Sequence, residues 1–307
     1  PAFLAEHRRL AMARADEPEV SVVVVLFNQA ELTLRCLESL SRVTDPRIEV
    51  IVVDNGSTDA TGAVLDRLDG ATVLPNRDNL GFLAGSNQGA AAARAPHLLF
   101  LNNDAVPLPG AIRSALDRLR GEPRAGAVGG CLVRPDGLLQ EAGAFLWRDG
   151  SIEAYGAGDH PLGGAYRFPR EVDYGSGAFL LVRSDAFRSL GGFDEAFAPG
   201  YYEDVDLCLR LRRQLGLTTL YDPGAIVHHL GSGSETSAQR TEDLARRNRL
   251  LLLERHRAEL AGDRRAPTGG VPAQPGSLRR RPCRGGAPPP ALRAGGVSAA
   301  ATARPTP

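Results

Sequence analysis

Residues 20–27, VSVVVVLF, restrict the fold more than any other stretch of the chain. A strand with one wet face alternates polar and apolar residues. Here β-branched side chains follow one another, so both faces must be buried. Such strands belong to parallel sheets covered by helices on both sides. The next hundred residues repeat the theme. Residues 49–53 (EVIVV), 72–74 and 98–101 are further predicted strands. Between them, residues 30–40 (AELTLRCLESL) carry apolar side chains at helical spacing, and residues 58–68 read as a helix capped by Ser57 or Thr58. Residues 84–93 form a small-residue helix and residues 110–120 another. That alternation predicts an α/β fold. Short strands near 126–133, 140–146 and 178–182, then an acidic helix over 203–214, predict a mixed sheet in the second half.

Composition divides the chain in three. Residues 1–17 read as a short helix or arm and residues 18–262 as one globular domain. Residues 263–307 are rich in Pro, Gly, Ala and Arg and have too few large apolar side chains to offset their ordering entropy, so disorder is expected there. Eight arginines follow Asp263 with no acid among them, which leaves the preceding chain net acidic although the whole is formally neutral. An acidic globular part with no aromatic-basic interleaving argues against nucleic acid as a partner. Four widely spaced cysteines without CxxC suit a reducing compartment rather than a disulfide scaffold. The apolar runs are far too short for a membrane span, and no signal peptide is visible, though residue 1 is Pro rather than Met.

Polar motifs end three of the predicted strands: Phe27-Asn28, the run Asp54 to Asp59 (DNGSTD), and Asn102-Asn103-Asp104. In parallel sheets, ligands bind at the carboxyl ends of the strands. DNGSTD alone is good turn-and-cap chemistry; three such motifs on one rim suggest one site. A nucleoside-diphosphate sugar needs a carboxylate to accept from a base N–H, amides for ribose hydroxyls, and an oxygen ligand for a divalent cation on the diphosphate. A buried strand ending in NND supplies amides and one carboxylate on a rigid support. No GxGxxG follows the first strand, which weakens a dinucleotide-oxidoreductase reading. The residues after Val53 lack a second carboxylate two positions on, which weakens an aspartyl phosphohydrolase.

The motifs VSVVVVLFN, VVDNGSTD, NLGFLAGSNQG, LLFLNNDAV, GSGAFLLVR and GGFDEAFAPGYYEDVDLCLRL occur in this order. Over residues 20–257 the chain thereby resembles the inverting family 2 glycosyltransferases of the GT-A fold, in the bacterial rhamnosyltransferase-like branch. The resemblance implies a single catalytic domain with a Rossmann-like, mainly parallel mixed sheet flanked by helices. It implies that Asp54 contacts the nucleobase beside Phe27, and that Asn79, Gly81 and Phe82 line the donor pocket. Asp104 matches the metal-binding carboxylate, with Asn102 or Asn103 near the ribose; a typical DXD has Asp at the first of these positions. Gly177 and Ala178 match a segment beneath the sugar.

In the same family the Asp of an Glu-Asp pair is the catalytic base, and Asp204 matches it. Inversion is a single displacement by an acceptor hydroxyl, which needs a carboxylate to take its proton. Glu203 and Asp206 also suit a helix N-terminus; Asp206 is expected to face away or cap, and Glu203 to shape the acceptor pocket or serve the helix. A late His completes the metal site in the family. His229 fits that place better than His228, and the choice between them stays open. Arg246, Arg247 and Asn248 resemble the RRN of the family's last helix, reaching either the diphosphate, the acceptor or solvent.

The expected activity is metal-assisted transfer, with Mg²⁺ or Mn²⁺, from a nucleotide-sugar donor, dTDP-rhamnose or a UDP-sugar, to a glycan or lipid-linked acceptor of cell-envelope polysaccharide. The expected place is the cytoplasm, with peripheral contact at the inner face of the membrane. The alternative is a catalytically inactive binding module of the same fold.

Overall fold

The computed structural model describes residues 9–231 and 238–261. The expected disorder of the tail from 263 lies outside the described residues.

Ten strands form one sheet: β1 (Val20–Leu26), β2 (Ile48–Asp54), β3 (Thr72–Pro75), β4 (His97–Asn102), β5 (Ala105–Pro107), β6 (Ala125–Val133), β7 (Leu139–Ala142), β8 (Arg170–Val172), β9 (Phe179–Arg183) and β10 (Thr218–His229). The order across it is β8-β10-β6-β9-β4-β1-β2-β3, with β5 on β10 and β7 on β6. β1 runs parallel to β2 and β4, and β2 to β3. β9 lies antiparallel between β4 and β6, whereas β10 is parallel to β6. The main helices are α1 (Ala30–Ser41), α2 (Thr61–Leu65), α3 (Gly81–Ala92), α4 (Ala111–Gly121), α5 (Glu203–Leu215) and α6 (Ala238–Arg255).

The β1 sequence is used on both faces, as its composition requires. Val20, Val22, Val24 and Leu26 join a core with Leu34, Leu37 and Leu40 of α1 and Ile112 and Leu116 of α4. Val23 and Val25 enter a second core with Leu83 and Ala90 of α3, Phe100 of β4, and Val205 and Leu209 of α5. Each such side chain contributes about 1.5–3 kcal/mol on burial. α3 sits close on the sheet because Gly85 and Gly89 face Val25 and Val23; a Cβ on Gly85 would lie 2.7 Å from Val25 Cγ1.

Two expectations change, and the choice between helix and arm is decided. The predicted helix over 58–68 is only Thr61–Leu65. Ala60 stands at its N-cap with no side-chain cap bond, and Ser57 Oγ accepts from Asn28 N instead, so neither Ser57 nor Thr58 caps it. The described part of the arm is extended rather than helical: Leu10–Ala11 pairs in parallel with Leu68–Asp69, and Leu10 and Met12 are buried. The strand expected over 140–146 breaks at Gly143, held at φ +80° with no room for a Cβ beside Val172. β10 is a twelve-residue strand that runs through Asp-Pro-Gly at 222–224. The sheet absorbs that segment as a register shift against β6 between Tyr221 and Ile226.

Candidate active site

The parallel register aligns the polar strand ends. Leu26 pairs with Asp54, and Val25 with Asn102, so Phe27, Asp54 and Asn102 emerge side by side at one edge. Asn28 ties two of these ends together: it adopts φ 56°, its amide donates to Ser57 Oγ at 2.8 Å, and its Oδ1 accepts from Thr58 N at 2.8 Å. Asp54 Oδ1 accepts from Ser57 N at 3.0 Å, which fixes that carboxylate's orientation. The segment from Asn76 to Gly81 reaches the same edge. Asn76 N donates to Asp54 O at 2.7 Å, buried Asn55 Nδ2 donates to Gly81 O at 3.0 Å, and Asn79 Oδ1 accepts from Gly81 N at 2.9 Å. Gly81 is held at φ +83°, and a Cβ there would meet Pro199 O at 2.6 Å.

The two asparagines of NND part company. Asn103 is buried and its Nδ2 donates to Thr33 Oγ1 of α1 at 3.1 Å, so it braces the motif from behind. Asn102 Nδ2 lies 3.4 Å from His229 Nε2. His229 Nε2 also lies 3.1 Å from Asp104 Oδ1, and Asp104 is 1% exposed. β5 and β10 create that meeting: Ala105 pairs with His229 and Val106 with His228, and Leu230 N donates to Asp104 O at 2.9 Å. His228 is exposed, whereas the His229 ring turns inward.

Among the described residues, no three or more His, Cys, Asp or Glu side chains gather as a self-sufficient metal cage. The Asp104–His229 pair nonetheless fits Mg²⁺ or Mn²⁺ with the remaining ligands from a diphosphate and water. Two ligands about 2.1 Å from one octahedral ion, at right angles, stand about 3 Å apart.

Asp204 meets the other side of the rim. Gly177 N donates to its Oδ2 at 3.0 Å and Val205 N to its Oδ1 at 2.8 Å. Gly177 is placed by β9, whose residue Phe179 pairs with Leu101, and Asn102 N donates to Ala178 O at 3.2 Å. The Phe82 ring would touch a Cβ on Gly177 at 3.2 Å. Burial raises the Asp204 carboxyl above its ordinary range, against the two amide bonds. Glu203 is buried, its Oε2 without a partner among the described residues; burial, then the charge of Asp204, raises it well above the usual carboxylate range. Asp206 faces away as expected, bonded to Arg210 Nε at 2.6 Å and His256 Nε2 at 2.8 Å.

Arg246 and Arg247 of the RRN segment are exposed, in keeping with the solvent alternative, and only Asn248 departs from it. Asn248 is fully buried, and its Nδ2 donates to the carbonyls of Phe197, Gly200 and Tyr201 at 2.8, 2.9 and 2.8 Å. Arg247 Nη2 donates to Ala196 O at 3.3 Å and also to Ala198 O, while Arg246 is exposed. Arg247 and Asn248 hold the loop that enters α5, where Tyr201 and Tyr202 sit at φ 74° and 70°. Bulky residues persist there only when their surroundings impose it.

Sequence reading also passed over Gln140 and Glu141. Glu141 is buried, accepts from Ser176 N at 3.3 Å, and is raised to about 7 by burial, then by the charge of Asp204. Gln140 Oε1 lies 2.7 Å from His229 Nδ1. Nothing in LLQEAG marks either residue, because their partners are more than thirty positions away. A separate groove of about 550 Å³, lined by Ala13, Arg14, Thr44, Pro46 and Arg47 among others, opens at the opposite end of β2 and shares no residue with this rim.

Comparison with known proteins identifies the family. Residues 21–191 match the model of Glycosyl transferase family 2. The N-acetylglucosaminyl-diphospho-decaprenol L-rhamnosyltransferase of Mycobacterium tuberculosis is 35% identical over 232 residues, 68% of this chain and 75% of that protein. Among solved structures, the mannosyltransferase PcManGT from Pyrobaculum calidifontis, in complex with GDP-Man and Mn²⁺, aligns with a TM-score of 0.55 at 19% identity, over 83% of this chain and 68% of that one. GalNAc-T7 with UDP, GalNAc and Mn²⁺ aligns with a TM-score of 0.59 at 15% identity, over 78% and 48%. At such identities the solved structures speak for the fold alone, and that fold is GT-A.

Proposed function

This chain belongs to glycosyl transferase family 2 and is a glycosyltransferase; from that premise we propose inverting transfer from a nucleotide-sugar donor, dTDP-rhamnose or a UDP-sugar, to a hydroxyl of a glycan or lipid-linked acceptor. One observation carries the reading. Asp104 and His229 meet at 3.1 Å on the rim that Asp54 and Asn102 already line.

Asp54 accepts from the base N–H beside Phe27, and the Asn79–Gly81 loop borders the donor. Asn102 faces the ribose side, with Asn103 bracing the motif from α1. The small Gly177 leaves room for the sugar. A divalent cation held by Asp104 and His229 would neutralise charge on the departing diphosphate. Asp204 takes the proton of the acceptor hydroxyl as the new C–O bond forms and the anomeric C–O bond to the nucleotide breaks. Its two amide donors aim the carboxylate, and its partial burial keeps it basic enough for the task.

A lipid-linked acceptor is supported by the name of the mycobacterial relative. Among the described residues no helix is long and apolar enough to cross a membrane. We place the protein in the cytoplasm, in peripheral contact with the inner face of the membrane. Co-sedimentation with anionic vesicles tests that placement, and a protein that stays in the supernatant at low salt contradicts it.

The reading itself is tested by a donor panel of dTDP-rhamnose, UDP-glucose, UDP-galactose, UDP-N-acetylglucosamine and GDP-mannose, with Mn²⁺ or chelator. One donor should bind only with metal, Asp104→Ala should lose it, and Asp204→Asn should bind it without turnover. If no donor binds under any condition, the transfer reading fails and a degenerate binding module takes its place.

A further inference from the structure

β7 pairs with β6 through Cys131 with Ala142, Leu132 with Glu141, and Val133 with Leu139. The register slips between Leu132 and Val133, so Gln140 is the extra residue of a β-bulge. Bulges re-aim a side chain that the regular alternation would send elsewhere. This one brings Gln140 Oε1 to 2.7 Å from His229 Nδ1.

The other ring nitrogen is contested. His229 Nε2 faces Asp104 Oδ1 at 3.1 Å and Asn102 Nδ2 at 3.4 Å. A neutral imidazole has one ring proton. Left to itself, the Asp104 carboxylate would draw that proton to Nε2 and close the pair to a cation. Gln140 offers the competing acceptor at Nδ1. With the proton there, Nε2 keeps a lone pair, which the Asn102 amide can donate to. Two carboxamides from different strands thus favour the same tautomer, the one that can ligate.

We propose that Gln140 is a positioning residue of the cation site: it holds His229 in the tautomer and ring orientation that present the Nε2 lone pair beside Asp104. The inference rests on the reading of His229 as a ligand. Partners of this kind govern metal affinity by about 10–100-fold in other sites.

The test is Mn²⁺ binding in the presence of UDP, and in parallel dTDP, followed by electron paramagnetic resonance on the full chain. Gln140→Leu should weaken Mn²⁺ about tenfold or more and lose the nitrogen hyperfine coupling of a bound imidazole. Gln140→Glu, which keeps an acceptor at the same reach, should retain both affinity and coupling. Gln140→Met serves as a second variant without an acceptor if the leucine variant does not fold. Wild-type affinity and coupling in Gln140→Leu or Gln140→Met, beside weakened binding in His229→Ala, would overturn this inference alone. Unweakened binding in His229→Ala would remove His229 as a ligand, and the inference with it.

Discussion

Gly177 donates its backbone amide to Oδ2 of Asp204 at 3.0 Å, and the preceding amide, of Ser176, turns to Glu141 at 3.3 Å. Two successive peptide N–H groups therefore serve two carboxyls, half-buried Asp204 on α5 and buried Glu141 on β7. Burial raises both carboxyls, Glu141 to about 7.

Asp204 must be ionised to accept a proton. Because burial raises it, the acid limb of the turnover–pH profile should lie above the ordinary aspartate value of about 3.9, with activity rising as pH rises through that limb. Asp204→Asn should lower turnover by about 10²–10⁴-fold while nucleoside-diphosphate binding persists. Steady-state rates from pH 4 to 9 check both points. A limb at or below pH 4, or a fully active Asn variant, removes Asp204 as the base.

Glu141 moves from 4.5 to about 7 on folding. Below pH 4.5 the folded and unfolded chains both hold its proton. Between those values only the folded chain does, so wild-type stability falls as pH rises and levels off above about 7. Glu141→Gln has no proton to lose and should gain relative to wild type across that window, by up to ~3 kcal/mol. Urea unfolding at a series of pH values measures the gap; a constant gap would show that Glu141 does not titrate as described.

Asn248→Leu should release the loop before α5. It leaves the carbonyls of Phe197, Gly200 and Tyr201 without their donor, at a cost of about 1–3 kcal/mol. It also frees Tyr201 and Tyr202 from their left-handed backbone. Because a displacement of about 1 Å can cost roughly 100-fold, turnover should fall by about tenfold or more with donor KM little changed. Unchanged turnover in a destabilised variant would confine Asn248 to folding.

Gly89→Ala tests the packing of α3 on β1. Helix propensity alone favours Ala by about 1 kcal/mol. Here the added Cβ would collide with Val23 Cγ1 and approach Val53 Cγ2 to 3.3 Å, both stiff β-branched side chains. The expected result is net destabilisation of about 1–3 kcal/mol by denaturant unfolding. A stabilised variant would mean that α3 can lift from the sheet.

Much of the first half was legible because its signals are local. Consecutive β-branched residues in 20–26 can only be satisfied by burial on both faces, and the observed cores divide those side chains accordingly. Strand-end motifs can be placed on one rim because parallel strands align their carboxyl ends. Local signals also misled. The turn bonds of Asn28, Asp54 and Ser57 shortened a predicted helix.

The amino-acid sequence by itself determined the class of fold, the rim, and the residue types offered there: Asp54, the NND triplet, Asp204 and a histidine pair. Only the tertiary structure decided which of these groups face one another. It turned Asn103 toward Thr33 and Asn102 toward His229, chose His229 over His228 as the neighbour of Asp104, and buried Asn248 beneath the loop before α5. It also brought Gln140 in through a bulge. The physical reason is common to all of them. Periodicity within a segment dictates which face is buried, whereas a hydrogen bond between groups up to 127 positions apart depends on strand register, which no single segment contains.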